Sequence, residues 1–303
     1  MRFGPTTLAA ASMHVEHDPK KNFAEYERYI EEAARKQTKL LSLPESSLQG
    51  FIWTWDEDKK TFTDDPEQRK YYEQTAETVP GPTTEKVARL AKKHRMYIQF
   101  GLVEKALKDG KKVFYNSAAM VGPDGLLGAF RKVHGAWNPI YTYGDSYNVY
   151  DTSLGKVGSV ICMDLVFAES ARVLALRGAE IVVNSSAWSI EEAPEKDYRG
   201  YRYELLCRAN AAFNQVWFVS SNEVGKGGHS KSNCYGHSLI IDPAGRVVAD
   251  GGYKEGLVTA EVDLAKGMDE AVKLAGRFLK RRRAETYGDV VKVETPPTYN
   301  YAI

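Results

Sequence analysis

Apolar and polar positions change rhythm repeatedly along the chain. Residues 7–15 hold an apolar run of strand length, and residues 22–36 place Phe23, Tyr26, Tyr29 and Ile30 on one helical face. Residues 39–43 read as a strand again. Residues 46–80 are polar and aromatic with few regular signals, and Pro80-Gly81-Pro82 punctuates the chain after them. The next helix runs to His94, with Thr83 or Thr84 as its expected cap. Strands are predicted at 96–103, 115–121 and 127–132, the last two joined by the turn Pro123-Asp124-Gly125. Residues 157–162 and 181–185 are β-branched runs of the kind buried on both faces, with a helix at 168–177 between them. A helix at 201–213 leads into a strand at 216–220. Strands at 238–241 and 247–248 flank Pro243-Ala244-Gly245, a strand at 257–262 follows, and residues 268–279 are amphipathic.

This alternation predicts a layered α/β domain with mixed hairpins and crossovers. No repeat and no Pro- or Gly-rich linker divides the chain, so one domain is expected. The apolar run from Leu8 to Met13 is too short for a signal-peptide core. No stretch approaches the roughly 18 apolar residues of a membrane span. A soluble protein with no membrane partner is therefore expected.

Charge narrows the partners. In 303 residues, 41 Lys and Arg face 40 Asp and Glu, for a net charge of +1. That balance argues against non-specific nucleic-acid binding, which rests on many cations meeting phosphates. The run Lys280-Arg281-Arg282-Arg283 reads as the solvated end of the preceding helix. Three cysteines, an odd number, make a disulfide framework improbable and suit a reducing compartment, the cytoplasm. No Cys-x-x-Cys pair exists and the six His are scattered, so no metal cage is expected.

Cys162 ends a strand just before a predicted helix, where backbone N–H groups and a helix dipole favour thiolate and bind an oxyanion. From position alone it reads more readily as a small buried hydrophobe. Cys207, in mid-helix, and Cys234, in a turn, read as structural. His134 and His237 are candidate bases or buried structure. A second arrangement is chemically complete. Glu45, Lys132 and Cys162 each end a predicted strand, and sites in layered α/β proteins form beyond strand ends. Glu45 would take the thiol proton and later activate water, and Lys132 would stabilise the anionic intermediate.

The segments around these residues resemble the nitrilase superfamily of carbon–nitrogen hydrolases. They are Leu43-Pro44-Glu45, Pro80-Gly81-Pro82-Thr83, Tyr115-Asn116-Ser117, Arg131-Lys132-Val133-His134 and Ile161-Cys162-Met163-Asp164. Further matches are Leu176-Arg177-Gly178-Ala179-Glu180-Ile181, Arg208-Ala209-Asn210-Ala211, Gly236-His237-Ser238 and Ile241-Asp242-Pro243-Ala244-Gly245. The resemblance implies an α-β-β-α sandwich that forms four layers, with the hydrolase domain at residues 1–288 and a tail at 289–303. It implies pairing into a homodimer or larger homo-oligomer, a small-molecule substrate, a covalent thioester and no cofactor. It maps the catalytic set to Glu45, Lys132 and Cys162 and gives Met163 N–H to the oxyanion. It also places Trp53, Trp55, Trp137, Tyr141, Tyr143 and Trp188 in segments that line the pocket.

Two departures bear on the substrate. Most members carry a second glutamate after the lysine, whereas residues 132–144 contain no carboxylate, and Asp145 or another acid is left as the substitute. In the aliphatic amidases that glutamate would fall near Tyr141. Cys162-Met163-Asp164 resembles amidases and carbamoylases more than nitrilases, whose cysteine tends to precede Trp-Glu. The expected activity is hydrolysis of an amide or N-carbamoyl compound. The alternatives are a nitrilase and, from another class, a weakened family member serving as a binding protein, for which the missing glutamate is the only support.

Overall fold

A computed structural model describes residues 4–50, 55–56, 61–135, 138–191, 196–227 and 233–292. The first half contains β1 (Thr6–Met13), α1 (Pro19–Arg35), β2 (Thr38–Ser42), β3 (Trp55–Asp56), β4 (Thr61–Phe62), α2 (Pro66–Thr75) and α3 (Pro82–His94). A meander of β5 (Tyr97–Lys108), β6 (Lys111–Gly122) and β7 (Gly125–Arg131) completes it. The second half runs β8 (Val149–Thr152), β9 (Gly155–Ile161), the 3-10 turn Cys162–Val166, α4 (Ala168–Leu176), β10 (Ile181–Ser186) and β11 (Ser189–Ile190). Then come α5 (Tyr198–Asn214), β12 (Trp217–Lys226), β13 (Asn233–Tyr235), β14 (Leu239–Ile241), β15 (Val247–Asp250), β16 (Gly256–Val262) and α6 (Leu264–Ala275).

The strand order β7-β6-β5-β2-β1-β12-β10-β9-β8 joins the halves where β1 meets β12, at only Ser12–Asn222 and Met13–Glu223. The central pairings are parallel and the outer ones antiparallel. Alternation along the strands builds the layers. Ala9, Ala11 and Met13 face Tyr26, Ile30 and Val87 of α1 and α3. Leu8 and Ala10 face the other way, into a cluster with Leu40, Val183, Trp217 and Val219 between the two halves of the sheet. Val160, Val182 and Phe218 pack outward on α4 and α5, against Leu174, Tyr203 and Cys207. The result is the expected α-β-β-α sandwich.

Local chemistry explains where the sequence reading of the elements fails. Helix α1 starts a turn earlier than predicted because Asp18 accepts from Lys20 N–H at 2.9 Å and Pro19 sits in the first turn. Helix α3 is capped by neither Thr83 nor Thr84. Gly81 holds the N-cap position, and Glu77 accepts from Thr83 N–H at 2.7 Å. Helix α2 lies in the stretch read as irregular; Asp65 caps it, but it buries only Gln68 and Tyr72, so it has no apolar stripe to detect. Helix α6 ends at Ala275, before Gly276 at φ +78°. Lys280-Arg281-Arg282-Arg283 therefore lies past the helix rather than at its end. Among the described residues no helix is long and apolar enough to cross a membrane.

Candidate active site

Three strand ends converge, as the sequence predicted. Glu45 follows β2, Lys132 follows β7 and Cys162 follows β9, and all three are buried. Lys132 Nζ donates to Glu45 Oε1 at 2.5 Å. Asn116 Nδ2 donates to the same oxygen at 2.7 Å, and Ala187 N–H donates to Glu45 Oε2 at 2.9 Å. The carboxylate is thereby fixed from both sides. Gly101 of β5 makes room for its loop: a Cβ there would lie 2.2 Å from Pro44 O and 2.4 Å from Ser46 N. Any side chain at 101 would displace the backbone that carries Glu45.

Beneath the strand ends lies a buried polar layer. Ser42 and Ser221 share a 2.7 Å hydrogen bond, and Gln99 accepts from Ser159 Oγ at 2.6 Å while donating to Ser185 Oγ at 3.0 Å. These links tie β2 and β5 to β9, β10 and β12 across the sandwich, so the strand ends are held in mutual register.

Cys162 has φ +45°, an uncommon conformation for a side-chain-bearing residue, and its N–H donates to Asn184 Oδ1 at 2.9 Å. Burial pushes its thiol up, the Glu45 carboxylate adds to this, and Lys132 and the Ala187 N–H offset only part. The expectation that the strand end favours thiolate is therefore corrected. Cys162 opens a 3-10 turn and α4 begins only at Ala168, so α4 does not start at the nucleophile. Burial also works against the Lys132 ammonium, but Glu45, Cys162 and Asp164 outweigh it and hold the lysine above its ordinary value. At rest the site is thus a thiol beside a carboxylate–ammonium pair.

A titration checks this. The wild-type minus Cys162→Ala absorbance at 240 nm should show no thiolate step between about pH 7 and 9, where an ordinary cysteine titrates. A step near neutrality would contradict a neutral resting thiol. The unfolded thiol ionises first, so the contribution of Cys162 to stability falls as pH rises above about 8.5.

Met163 occupies the second position of the 3-10 turn and is half-buried. Asp164 organises this turn. Its Oδ2 accepts from Ile161 N–H at 3.1 Å, and its Oδ1 accepts from His134 N–H at 2.9 Å and meets His134 Nδ1 at the same distance. His134 also stacks on Phe167, with centroids 3.8 Å apart. It is tied to Asp164 and props the turn. His237 pairs with Asp250 at 2.9 Å and stacks on Tyr235.

All three cysteines are free and buried. Cys207, on the buried face of α5, lies beside Ser220. Cys234 lies 3.6 Å from Oε2 of Glu223, a buried acid that burial and Glu45 hold well above the usual carboxylate range. Asp145 is not the second acid near Lys132, for it lines a separate groove with Glu104 and Arg131. Among the described residues Asp164 is a further acid whose charge reaches the lysine.

A small pocket next to Lys132 is lined by Asn116, Gly135, Asn138, Tyr141 and Tyr143. Tyr141 donates to Tyr72 Oη at 2.8 Å. Trp188 packs on Tyr203, and its indole N–H donates to Arg199 O at 2.8 Å, so its polar end is used within the fold. Trp53 and Trp137 lie outside the described residues. Asn116, Asn184, Asp164 and the Ala187 N–H escaped the sequence reading of the site. Asn116 and Asp164 stood in quoted motifs without a role, and a backbone donor leaves no sequence signal.

The family model for carbon-nitrogen hydrolase matches residues 7–268. Omega-amidase NIT2 from Homo sapiens is 31% identical over 250 residues, spanning 78% of this chain and 81% of the human protein. Omega-amidase NIT2-B from Xenopus laevis is 32% identical over 249 residues, with the same coverages of 78% and 81%. A carbon-nitrogen hydrolase structure from Helicobacter pylori superposes with TM-score 0.81 at 25% identity, covering 96% of this chain and all of that one. Saccharomyces cerevisiae Nit3, of the nitrilase superfamily, superposes with TM-score 0.76 at 26% identity, covering 92% and 97%.

Proposed function

The chain belongs to the carbon-nitrogen hydrolase family, and we propose that Glu45, Lys132 and Cys162 give it the activity of an amidase on small amides. The observation that carries this reading is the convergence of the three side chains, with Glu45 held 2.5 Å from Lys132 Nζ and its charge felt by the Cys162 thiol. The names of the omega-amidase relatives agree with an amide substrate.

Glu45 takes the proton from Sγ as sulfur bonds to the amide carbon. The carbonyl oxygen becomes an oxyanion, met by the Lys132 ammonium and the Met163 N–H. The C–N bond then breaks, and Glu45 returns its proton to the departing nitrogen, which leaves as ammonia or amine. A thioester on Cys162 remains. Glu45 next takes a proton from water, hydroxide attacks the thioester carbon, and collapse releases the carboxylic acid and regenerates the thiol. Since the resting thiol is neutral, proton removal is coupled to attack rather than completed beforehand.

Ammonia release from butyramide, N-carbamoyl-β-alanine and butyronitrile tests the substrate class. The amide should be hydrolysed at least about tenfold faster than the nitrile, the span one satisfied buried polar contact supplies. Equal or faster turnover of the nitrile would overturn the amidase reading.

The pairing of subunits fits the face made by α4 and α5. Tyr198, Tyr201 and Leu205 recur at helical spacing there, at 71%, 59% and 47% exposure, and Leu176 and Phe213 extend the patch. A second copy seated on this face would cover it, and a monomeric mass by light scattering would contradict that. Three unpaired cysteines support the cytoplasm as the compartment. The hydrolase unit is taken to end at residue 288, with 289–303 as a tail.

A further inference from the structure

Two buried amide side chains beside Lys132 each have one atom in use and one left over. Asn116 Nδ2 donates to the Glu45 carboxylate at 2.7 Å, and Oδ1 of the same side chain has no partner. Asn138 Oδ1 accepts from Ile140 N–H at 3.0 Å, and its Nδ2 has no partner. These contacts decide which end of each side chain is nitrogen: a carboxylate accepts and a backbone N–H donates. The leftovers are therefore one acceptor and one donor. Asn116 is 3% exposed and Asn138 is 4% exposed, and both line the pocket that contains Lys132. Buried polar atoms without partners are costly and uncommon, so a pair of opposite sense in one pocket describes the group it awaits.

We propose that Asn138 is a specificity-determining residue, which with Asn116 recognises a neutral group carrying an acceptor and an N–H donor side by side, a primary carboxamide. Asn138 Nδ2 would donate to the carboxamide oxygen, and Asn116 Oδ1 would accept from its nitrogen. Asn116 touches Glu45, so the nitrogen it holds lies on the side of the group that later protonates it. A nitrile has no N–H and leaves the Asn116 acceptor unserved. A carboxylate offers only acceptors and faces that same oxygen. Hydrolysis thus converts a matched group into a mismatched one and weakens the hold on the acid product.

The inference rests on the amidase reading and is tested by binding, which separates the two. In a Cys162→Ala background, which cannot turn over, ligand-observed NMR titrations measure affinity for butyramide and butyrate. Butyramide should bind about tenfold tighter than butyrate. Asn138→Asp keeps the acceptor for Ile140 N–H and the side-chain shape but removes the free donor. It should weaken butyramide about tenfold. Asn138→Leu removes the donor without adding charge and should lose a similar factor. The proposal is overturned if butyrate binds as tightly as butyramide, or if Asn138→Asp binds butyramide within twofold of its parent. Failure of the wild type to release ammonia from butyramide would instead strike the amidase reading, whatever the titrations give.

Discussion

A Cys162→Ala protein should release no ammonia above background from any amide that the wild type hydrolyses. The expected loss in kcat is on the order of 10⁶, the scale seen when a covalent nucleophile is deleted. Cys207 and Cys234 are not placed to take over, for the thiol of Cys207 is directed at Ser220 and that of Cys234 at Glu223. Folding should survive the change. Cys162 is a small side chain at a strand end, and its N–H bond to Asn184 belongs to the backbone and persists in alanine. The melting temperature is the control: an inactive variant that melts with the wild type has lost chemistry and not fold.

Glu45→Gln should lower kcat by about 10³, within the range assigned to general acid–base catalysis. Glutamine keeps the size and one acceptor but cannot take the thiol proton or return it to the leaving nitrogen. It also removes the counter-charge from Lys132, whose side chain is only 7% exposed. Breaking a buried pair by removing one partner costs about 3–5 kcal/mol, so this variant should melt earlier as well as turn over more slowly. The sign of its pH dependence follows from Lys132. The lysine is held above its ordinary value in the folded chain, so its stabilising contribution is fully present below about pH 10.4 and is lost as pH rises through the folded value. The stability gap between wild type and Glu45→Gln should therefore narrow only at strongly alkaline pH. A gap that stays constant up to pH 11 would mean that it does not arise from the Lys132 charge.

The parts legible in the sequence are those where composition and position agree. The strands that end at Ile161 and Ser186 are β-branched runs, and the charged residues Glu45 and Lys132 just past their strands stood out against apolar neighbours. Helix α1 announced itself through Tyr26, Tyr29 and Ile30. Helix α2 did not, because a ten-residue helix that buries Gln68 and Tyr72 has no stripe. The state of the thiol was misread for a related reason. Strand-to-helix position argued for a dipole, but the sequence does not reveal how deeply a strand end is buried, and burial decides the outcome here. The partners of Glu45 were hidden in the same way, since Asn116 reaches it from β6, two strands from β2, and the Ala187 N–H only where the two halves of the sheet meet.

The most direct test of the central claim is the mass of the protein during turnover. Wild type mixed with butyramide and quenched in acid within milliseconds should gain the mass of a butyryl group. Peptide mapping should place that group on Cys162, and Cys162→Ala should gain nothing. An acyl group on another residue, or ammonia released by Cys162→Ala as fast as by the wild type, would contradict the account.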